Sequence, residues 1–252
     1  MNVSKKSIVC LYWLLAFCCS PIAMAEPQPI YAVGDLHADL SSAQKTFQMA
    51  GIVDQSGHWM LTDSIVVQTG DLTDRGPDGE PLLQWMRQLE AEATHFNSHF
   101  IILMGNHEAM NLQGDWRYVS KADVVSFGGL EPRKQAFSLA QKGEWATWLM
   151  EKQAVVQIDG TIFVHGGVSK AYARPAETLS KEVQMALLGL GPREVLGEMG
   201  PLWYRGYWLQ SEAEACKESA YVLAQLGAKR LVMGHTTQRD GRVHSRCNNT
   251  LF

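Results

Sequence analysis

The stretch Gly70-Asp71-Leu72-Thr73-Asp74-Arg75-Gly76 decides which fold and which kind of site this sequence can form. It follows the apolar run Ile65-Val66-Val67, which predicts a buried strand, and it leads into a loop that contains glycine and proline. Two carboxylates and a guanidinium lie together where the strand ends, an arrangement that does not suit a hydrophobic core. It predicts instead a site where Asp71 binds a cation and Arg75 binds an anion.

Four other predicted strands end in the same way, at a residue that can bind a metal ion and that adjoins glycine. In open α/β sheets, ligands bind in the crevice beyond the carboxyl ends of the strands, so these five ends are expected to converge on one site. Glycine beside them allows the backbone to turn sharply and to approach an ion. The strands are Ile30–Val33, 100–104, Thr161–Val164 and 231–233, and the residues that follow them are Asp35, Asn106, His165 and His235.

Helical segments alternate with these strands, which predicts the α/β fold class. A length of 252 residues, 46% of them hydrophobic, suits one globular domain, which is assigned to residues 26–252. Asp159-Gly160 lies between two short apolar runs and predicts a hairpin turn. Glycine–proline interruptions mark the helical segment 175–201 as a candidate cap beside the site. Helices are predicted at 40–50, with Asp39 or Ser41 as the N-cap, at 82–93, with Pro81 in the first turn, and at Glu212–Leu226.

Residues 1–25 have the features of a secretory signal peptide. Lys5 and Lys6 give a positive start, the apolar run 8–19 follows, and Ala23-Met24-Ala25 fits a cleavage site. A membrane anchor is the alternative, but about 20 apolar residues are needed to span a bilayer. The sequence therefore predicts an exported protein, periplasmic or secreted, that is free of the membrane after cleavage.

Cleavage after Ala25 would leave two of the five cysteines, Cys216 and Cys247, in an oxidising compartment. They are predicted either to form a disulfide or to be two separate buried thiols, because the sequence does not reveal how close their Cα atoms come. The formal net charge of −4 gives no general affinity for polyanions. No nucleic-acid partner is therefore expected, and any phosphate binding must be local.

The residues at the strand ends form a predicted site for two metal ions. Carboxylate, imidazole and amide oxygen together suit divalent manganese, iron or zinc better than calcium or a thiolate-bound metal. Six ligands are too many for one ion with an open position, but they suit two ions that share a bridging carboxylate. The first ion is assigned to Asp35 and His37, the second to Asn106, His165 and His235, and the bridge to Asp71.

Two adjacent metal ions suit the hydrolysis of a phosphate ester, because they activate a bridging water and stabilise charge on the phosphoryl oxygens. Arg75 is placed to bind the phosphate with two hydrogen bonds, or it could pair with Asp74 instead. His107, beside the ligand Asn106, is the candidate general acid for the leaving group. Asp74 is expected to orient His107 and to favour its protonated form. Glu108 is expected to support the ligands.

Seven blocks of this sequence resemble, in order, motifs of the phosphoprotein phosphatase family. Gly34-Asp35-Leu36-His37, the opening stretch at 70–76 and Gly105-Asn106-His107-Glu108 resemble its three signature blocks. His165-Gly166-Gly167 and Gly234-His235-Thr236 resemble its two later histidine blocks. The segments 111–119 and 200–206 resemble the bacterial-type branch called Shewanella-like protein phosphatases. The similarity extends over most of the sequence that follows the signal peptide.

The resemblance implies a fold, a metal and a substrate class that residue spacing alone does not. The fold is the four-layer αββα sandwich of calcineurin-like metallophosphoesterases, with the two-metal site at the mouth of its central sheets. The metal is manganese in typical assays, and the substrates are phosphotyrosine as well as phosphoserine and phosphothreonine. Arg205 is implied to be a second phosphate-binding arginine, although it could instead stack on the aromatic residues around it.

Two positions depart from the family pattern. Ala38 stands where the first block usually has glycine, and a small effect is expected unless the backbone there requires a positive φ. The chain ends at Phe252, in what the pattern predicts to be the beginning of a further strand. The domain could therefore lack its last strand and expose a sheet edge.

The predicted function is the hydrolysis of phosphate esters by an exported phosphomonoesterase that acts on phosphorylated protein, peptide or a small phosphomonoester. One alternative is a dinucleoside polyphosphate hydrolase, which shares the first three blocks. The export signal and the segment Trp116-Arg117-Tyr118 argue against it. The other alternative is an inactive metal-containing protein that binds phosphopeptides. Turnover measured with and without a chelator separates these functions.

Overall fold

Three parallel strands form the first sheet, which carries four of the predicted ligands at its carboxyl edge. The strands are β1 (Ile30–Val33), β2 (Ile65–Gln68) and β3 (His99–Ile102), in the order β1-β2-β3. Both neighbouring pairs are parallel. The structure, a computed structural model, describes residues 28–252, so the predicted signal peptide at 1–25 lies outside the described residues.

A mixed sheet faces the first. Its strands are β4 (Val155–Ile158), β5 (Thr161–Val164) and β6 (Arg230–Met233). β4 and β5 are antiparallel, whereas β5 and β6 are parallel. Asp159 and Gly160, which join β4 to β5, have φ values of 47° and 75°, and a two-residue turn of this type requires both to be positive. The predicted hairpin is confirmed.

A layer of apolar side chains lies between the two sheets. Because side chains alternate along a strand, each strand directs one set toward this layer and the other set toward the helices. The outward set, which includes Val66 and Val164, belongs to the large core beneath the helices. The inward set comes from both sheets: Ile30, Ile65, Val67, Ile101 and Leu103 from the first, and Val156, Ile158, Phe163 and Val232 from the second. The αββα layering expected from the resemblance is therefore confirmed.

Helices surround the two sheets, some in contact with a strand and others packed on a neighbouring helix. They are α1 (Leu40–Met49), α2 (Gly79–His95), α3 (Asn106–Leu112), α4 (Lys121–Ser126), α5 (Leu130–Ala136), α6 (Glu144–Met150), α7 (Ala176–Leu187), α8 (Gly206–Leu209) and α9 (Glu212–Leu226). Short 3₁₀ turns lie at Lys170–Tyr172 and Arg193–Leu196. α2 contacts β3 and α7 contacts β4, so α7 belongs to the outer helical layer, although the sequence marks its segment as a candidate cap. None of the helices within residues 28–252 is long and apolar enough to cross a membrane.

The beginnings of the first two helices follow from local chemistry. Asp39 accepts a hydrogen bond from the N–H of Ser42 at 2.9 Å, so Asp39 rather than Ser41 is the N-cap of α1. α2 begins at Gly79, three residues before its predicted start. Pro81 lies in the first turn of α2, where the missing N–H of proline is not needed.

The C-terminal residues are attached to the domain at two places. Cys216 of α9 and Cys247 form a disulfide with their Cα atoms 5.3 Å apart, so the disulfide alternative is confirmed. The last residues pair with β6: the N–H of Leu231 donates to Thr250 at 2.8 Å, and the N–H of Phe252 donates to Leu231 at 2.9 Å. This pairing covers the edge of β6, at the point where the sequence predicts the beginning of a further strand.

Candidate active site

The predicted metal ligands meet where the carboxyl ends of the two sheets come together. The first sheet brings Asp35, Asp71 and Asn106 to this point, and the second sheet brings His165 and His235. Residues from distant parts of the chain meet directly, because the N–H of His235 donates to Asp35 Oδ1 at 3.0 Å across 200 residues. His37, two residues after Asp35, lies at the same place.

Four polar atoms converge at the imidazole of His165, which is fully buried. Its Nε2 lies 2.8 Å from Asn106 Oδ1 and 3.1 Å from Asp71 Oδ2. It also lies 3.1 Å from Nδ1 of His235. These are distances of direct polar contact, so the four atoms surround one point between the sheets.

The ring protons of both histidines are held on the far side of each ring. Nδ1 of His165 lies 2.9 Å from the carbonyl oxygen of Thr69, and Nε2 of His235 lies 3.2 Å from that of Trp203. Since a carbonyl oxygen only accepts, these nitrogens carry the protons, and in neutral rings the inward nitrogens carry lone pairs. The four converging atoms are then all acceptors, and a cation stabilises such a group. These residues fit a divalent metal ion.

The charges around this group also favour a positive charge at its centre. Burial lowers the pKa of His165, but the carboxylate of Asp71 outweighs burial and raises the pKa to about 9. Burial and the charge of His165 lower the pKa of His235 to about 3. Burial raises the pKa of Asp71, but attraction to His165 holds it well below its usual range. A proton supplies one positive charge here, whereas a divalent ion reaches all four acceptors at once.

A second group of acceptors surrounds Nε2 of His37. Nδ1 of His37 lies 3.1 Å from the carbonyl oxygen of Thr73, so Nε2 is again the nitrogen with the lone pair. It lies 3.7 Å from Asp71 Oδ2 and 3.8 Å from Asp35 Oδ2. Ligand atoms that each lie about 2.0–2.2 Å from one ion are about 3–4 Å apart, so this spacing also fits a metal ion. Asp71 Oδ2 belongs to both groups, as a bridging ligand would.

Glu108, a fully buried carboxylate, holds the turn that carries Asp71. One of its oxygens accepts from the N–H groups of Asp71 and Gly105 at 2.8 and 2.9 Å. The other accepts from the N–H groups of Leu72 and Thr73 and from the Thr73 hydroxyl at 2.9, 3.0 and 2.9 Å. Asp71 has a φ of 58°, which non-glycine residues adopt reluctantly, so the turn needs this support.

Two small residues bring the backbone close to the ligands. A Cβ at Gly105 would overlap Oδ1 of Asp71, so glycine allows α3 to begin next to this carboxylate. Ala38 has a φ of 53°, a positive value that glycine adopts more readily than other residues. Alanine is therefore less favourable than glycine at this position. The left-handed conformation costs a residue with a Cβ about 1–2 kcal/mol.

His107 lies between a carboxylate and a guanidinium. Its Nδ1 lies 2.7 Å from Asp74 Oδ2, and its Nε2 accepts from Arg75 at 3.1 Å. Burial lowers the pKa of His107, but the hydrogen bond to Asp74 and the nearby carboxylates outweigh burial and leave the pKa raised. Nε2 lies 3.9 Å from Asp71 Oδ2, so the ring faces the ligand groups. Asp74 thus orients His107, and Arg75 contacts His107 rather than Asp74.

Arg205 reaches the same place from the side of the second sheet. Its guanidinium donates to the carbonyl oxygen of His235 at 2.6 Å and lies 3.5 Å from Nδ1 of that residue. The alternative role predicted for Arg205 is to stack on one of the aromatic rings around it. One of these rings, that of Trp208, is contacted by another arginine, Arg246, whose guanidinium lies 5.7 Å from the ring centroid. Arg205 is therefore held beside a predicted metal ligand.

The profile of one protein family, calcineurin-like phosphoesterase, matches residues 28–239. The chain belongs to the calcineurin-like phosphoesterase family. An uncharacterized protein of Schizosaccharomyces pombe is 35% identical over 239 residues, which cover 90% of this chain and 72% of that protein. Shewanella-like protein phosphatase 2 of Arabidopsis thaliana is 28% identical over 277 residues, which cover 89% of this chain and 70% of the relative.

Solved structures agree with these relatives of the phosphoesterase. The cold-active protein-tyrosine phosphatase of a psychrophilic Shewanella species matches with a TM-score of 0.74 and 25% identity, over 88% of this chain and 69% of that chain. A protein serine/threonine phosphatase of Saccharomyces cerevisiae, at a TM-score of 0.61 and 16% identity, shares the fold. The resemblance to Shewanella-like protein phosphatases is confirmed, and the chain is a metal-dependent phosphoester hydrolase.

The cleft of this phosphoesterase has a volume of about 450 Å³ and opens onto the predicted ligands. Asp35, His37 and His235 are among the residues that line it. Its lining also includes the apolar and basic residues Trp208, Arg242, Val243, His244 and Phe252. A substrate bound to the metal centre would therefore extend along a surface built by α8 and the C-terminal segment.

Three buried residues lie behind His107, and two of them carry no signal in the sequence of this phosphoesterase. The three are Asn111, Asp123 and Arg133, on α3, α4 and α5, and they contact Asp74 directly or through one another. Asn111 begins the motif segment 111–119, whereas Asp123 and Arg133 belong to no motif. Each of these helices has only six or seven residues, too few for a hydrophobic period to stand out. No motif spacing connects Arg133 with Asp74, which lies 59 residues earlier.

Proposed function

We propose that this phosphoesterase is an exported protein phosphatase that hydrolyses phosphomonoesters at a centre of two divalent metal ions. The observation that supports the centre best is the convergence of four atoms that are all acceptors when the histidine rings are neutral. Manganese is the proposed metal, with iron and zinc as alternatives. The first ion would be held by Asp35 and His37, the second by Asn106, His165 and His235, and both by Asp71.

The chain's own residues supply phosphate binding and proton transfer. The bound ions would activate a water for in-line attack at phosphorus and stabilise charge on the phosphoryl oxygens. Arg75 and Arg205 bind the remaining phosphoryl oxygens. His107 donates a proton from Nε2 to the ester oxygen as its bond to phosphorus breaks. The water oxygen forms the new bond to phosphorus, and the proton that the water loses restores His107. The products are inorganic phosphate and the free hydroxyl compound.

Arg75 links phosphate binding to the proton donor. Its guanidinium donates to Nε2 of His107, the atom from which the proton must be transferred. Arg75 is exposed, so its side chain is free to turn toward a phosphoryl group. A phosphate ester that accepts from Arg75 removes this contact and leaves Nε2 able to carry a proton, which Asp74 on the other side of the ring favours.

The substrate class is proposed from the relatives. The Shewanella structure is that of a protein-tyrosine phosphatase, and the Arabidopsis relative is a protein phosphatase. We therefore propose phosphotyrosine, phosphoserine and phosphothreonine in proteins or peptides as substrates. Export is proposed from the sequence of residues 1–25, and protein recovered from the periplasm or the medium should begin at Glu26.

Turnover with controlled metal content tests the proposed function. Exported protein stripped with a chelator should lose turnover of p-nitrophenyl phosphate and phosphopeptides, and manganese should restore it. Asp71→Asn should lose both metal and turnover. Asp115→Asn, the matched control, should keep both, because Asp115 pairs with the exposed Arg117.

Three other outcomes would contradict the proposal. Turnover that resists the chelator would exclude the metal centre. Metal binding without turnover of any phosphate ester would favour the phosphopeptide-binding alternative. Turnover of dinucleoside polyphosphates alone would favour the hydrolase alternative.

A further inference from the structure

A buried set of polar side chains extends from His107 into the protein, away from the cleft. Asp74 is its first member, with one oxygen 2.7 Å from Nδ1 of His107. The other oxygen of Asp74 accepts from Asn111 at 2.9 Å and from Arg133 at 3.3 Å. His107, Asp74, Asn111 and Arg133 are each at most 1% exposed. The carboxylate of Asp74 is therefore held at both oxygens.

Arg133 is the centre of this set. Its guanidinium donates to Asn111 Oδ1 at 2.7 Å and to Asp123 Oδ2 at 2.8 Å, in addition to Asp74. Two phenylalanine rings flank it, with centroids 5.2 and 4.9 Å from its Cζ. A planar guanidinium can contact three acceptors in this way, whereas the ammonium of lysine cannot reproduce the same fork. Arg133 also fixes the amide of Asn111, which in turn donates to Asp74.

Asp123 is held against the beginning of α2. Its Oδ2 accepts from Arg133, and its Oδ1 has no hydrogen-bond partner within residues 28–252. A Cβ at Gly79, the first residue of α2, would overlap Oδ1, so glycine allows this close approach. The partial positive charge at the beginning of a helix stabilises a carboxylate there. A long helix thus anchors Asp123, which anchors Arg133.

A structural cross-link between short helices is the simpler role for these residues. A buried ion pair, however, contributes little net stability, because the cost of removing both charges from water offsets their attraction. The contact of Arg133 also falls on the one oxygen of Asp74 that His107 does not use. It therefore controls the rotation of the carboxylate that orients the imidazole.

We propose that Arg133 is a positioning residue that, held by Asp123, fixes Asp74 and thereby keeps the imidazole of His107 directed at the leaving group. This role rests on the proposed function of His107 as the general acid. A small displacement of the imidazole reduces proton transfer strongly. The loss is greatest for esters of weakly acidic alcohols, which need the proton, and smallest for p-nitrophenyl phosphate, whose leaving group departs without one.

Variants at Arg133, assayed in the manganese-loaded protein, test this role. Arg133→Met removes the guanidinium and keeps an unbranched side chain between the two rings. Arg133→Met/Asp123→Asn also removes the carboxylate that would otherwise be left unpaired, which favours folding. Arg133→Lys keeps the charge without the fork. Arg87→Met is the matched control, because Arg87 also pairs with a carboxylate and lies over an aromatic ring, but on the surface of α2.

The measured quantity is kcat for an alkyl phosphate and for p-nitrophenyl phosphate, together with metal content and thermal unfolding. The Arg133 variants should lose about 10–100-fold with the alkyl phosphate and less than about threefold with p-nitrophenyl phosphate. Metal content should stay unchanged, and Arg87→Met should lose neither activity. A single Arg133 variant that folds is enough to compare the loss of kcat between the two substrates.

Two results would overturn the proposal for Arg133. One is a kcat that does not depend on the substrate as expected: it falls equally with both substrates, or it does not fall with the alkyl phosphate. The other is the failure of all three variants to fold, which would make the residue purely structural. His107→Asn separates these results from a failure of the proposed function. It should show the same substrate pattern with a larger loss of about 10²–10⁴-fold, and an equal loss with both substrates would mean that His107 is not the general acid.

Discussion

Glutamine at position 108 would test how the turn that carries Asp71 is held. Glu108 is fully buried and accepts two hydrogen bonds at one oxygen and three at the other. Glu108→Gln keeps the shape of the side chain but replaces one oxygen with an NH₂ group, which donates and does not accept. The remaining oxygen should face the three donors, so that the NH₂ group faces the N–H groups of Asp71 and Gly105.

The magnitude follows from these two buried N–H groups, which lose their acceptor. Each unsatisfied buried donor costs about 1–3 kcal/mol, so the free energy of unfolding should fall by about 2–6 kcal/mol. Burial raises the pKa of Glu108, which shows that its charge is costly to bury, and removing that charge offsets part of the loss. We therefore expect a fall of about 2–4 kcal/mol. Domains of this kind are stable by about 5–15 kcal/mol, so the variant should still fold.

Urea unfolding of the metal-free protein measures this effect, because a bound metal would add its own stabilisation. Glu131→Gln is the control: Glu131 is exposed and pairs with Lys134, so its replacement should change the free energy of unfolding by less than about 1 kcal/mol. The Glu108 variant should also bind manganese more weakly than the wild type. A loss below about 1 kcal/mol with unchanged metal affinity would refute the reasoning that Glu108 holds the turn.

Three other perturbations have definite expected outcomes. Asp74→Asn removes a carboxylate that raises the pKa of His107, so the fall of kcat at high pH should begin at a lower pH than in the wild type; an unchanged pH profile would contradict this. Gly105→Ala places a Cβ on Oδ1 of Asp71 and should release metal, whereas Gly34→Ala, where a Cβ meets no atom within 4 Å, should retain it in a metal-content assay. Reduction of the disulfide between α9 and the C-terminal segment, which joins cysteines 31 residues apart, should lower the free energy of unfolding by about 3–4 kcal/mol. Urea unfolding with and without a thiol reductant measures the last effect, and equal curves would exclude it.

The positions of the six proposed ligands are predictable because each has a local pattern. Asp35 and His235 lie 200 residues apart, yet each follows an apolar run and adjoins glycine. The rule that strand ends converge at one edge then places them together. The side-chain rotamers of His165 and His235, which direct a nitrogen lone pair of each ring inward, cannot be predicted from such local patterns. They depend on backbone carbonyls, such as that of Trp203, which no motif identifies as hydrogen-bond acceptors.

Asp123 and Arg133, behind His107, are not predictable, because their contacts depend on how three short helices pack. An arginine in α5 resembles any surface arginine in sequence, and only the packing shows that Arg133 is buried. Strand β3 shows the same limit at its end. The apolar pattern continues to Met104, but the neighbouring strand β2 ends at Gln68, whose carbonyl oxygen accepts from the N–H of Leu103 at 2.9 Å. Beyond this hydrogen bond the N–H of Met104 donates to Gln153, and β3 ends at Ile102.

The hydrogen bond between His235 and Asp35 has a consequence for when the protein can acquire its metal. The ligand group around His165 needs residues from widely separated parts of the chain, from Asp71 to His235, and contacts of such long sequence separation form late and slowly during folding. A chain that emerges from its N-terminus therefore cannot complete this group until residue 235 has emerged. If the chain is exported unfolded, the metal is taken up after the chain has crossed the membrane. The metal ions available outside the cytoplasm, rather than those at the site of synthesis, would then decide which ions the enzyme carries.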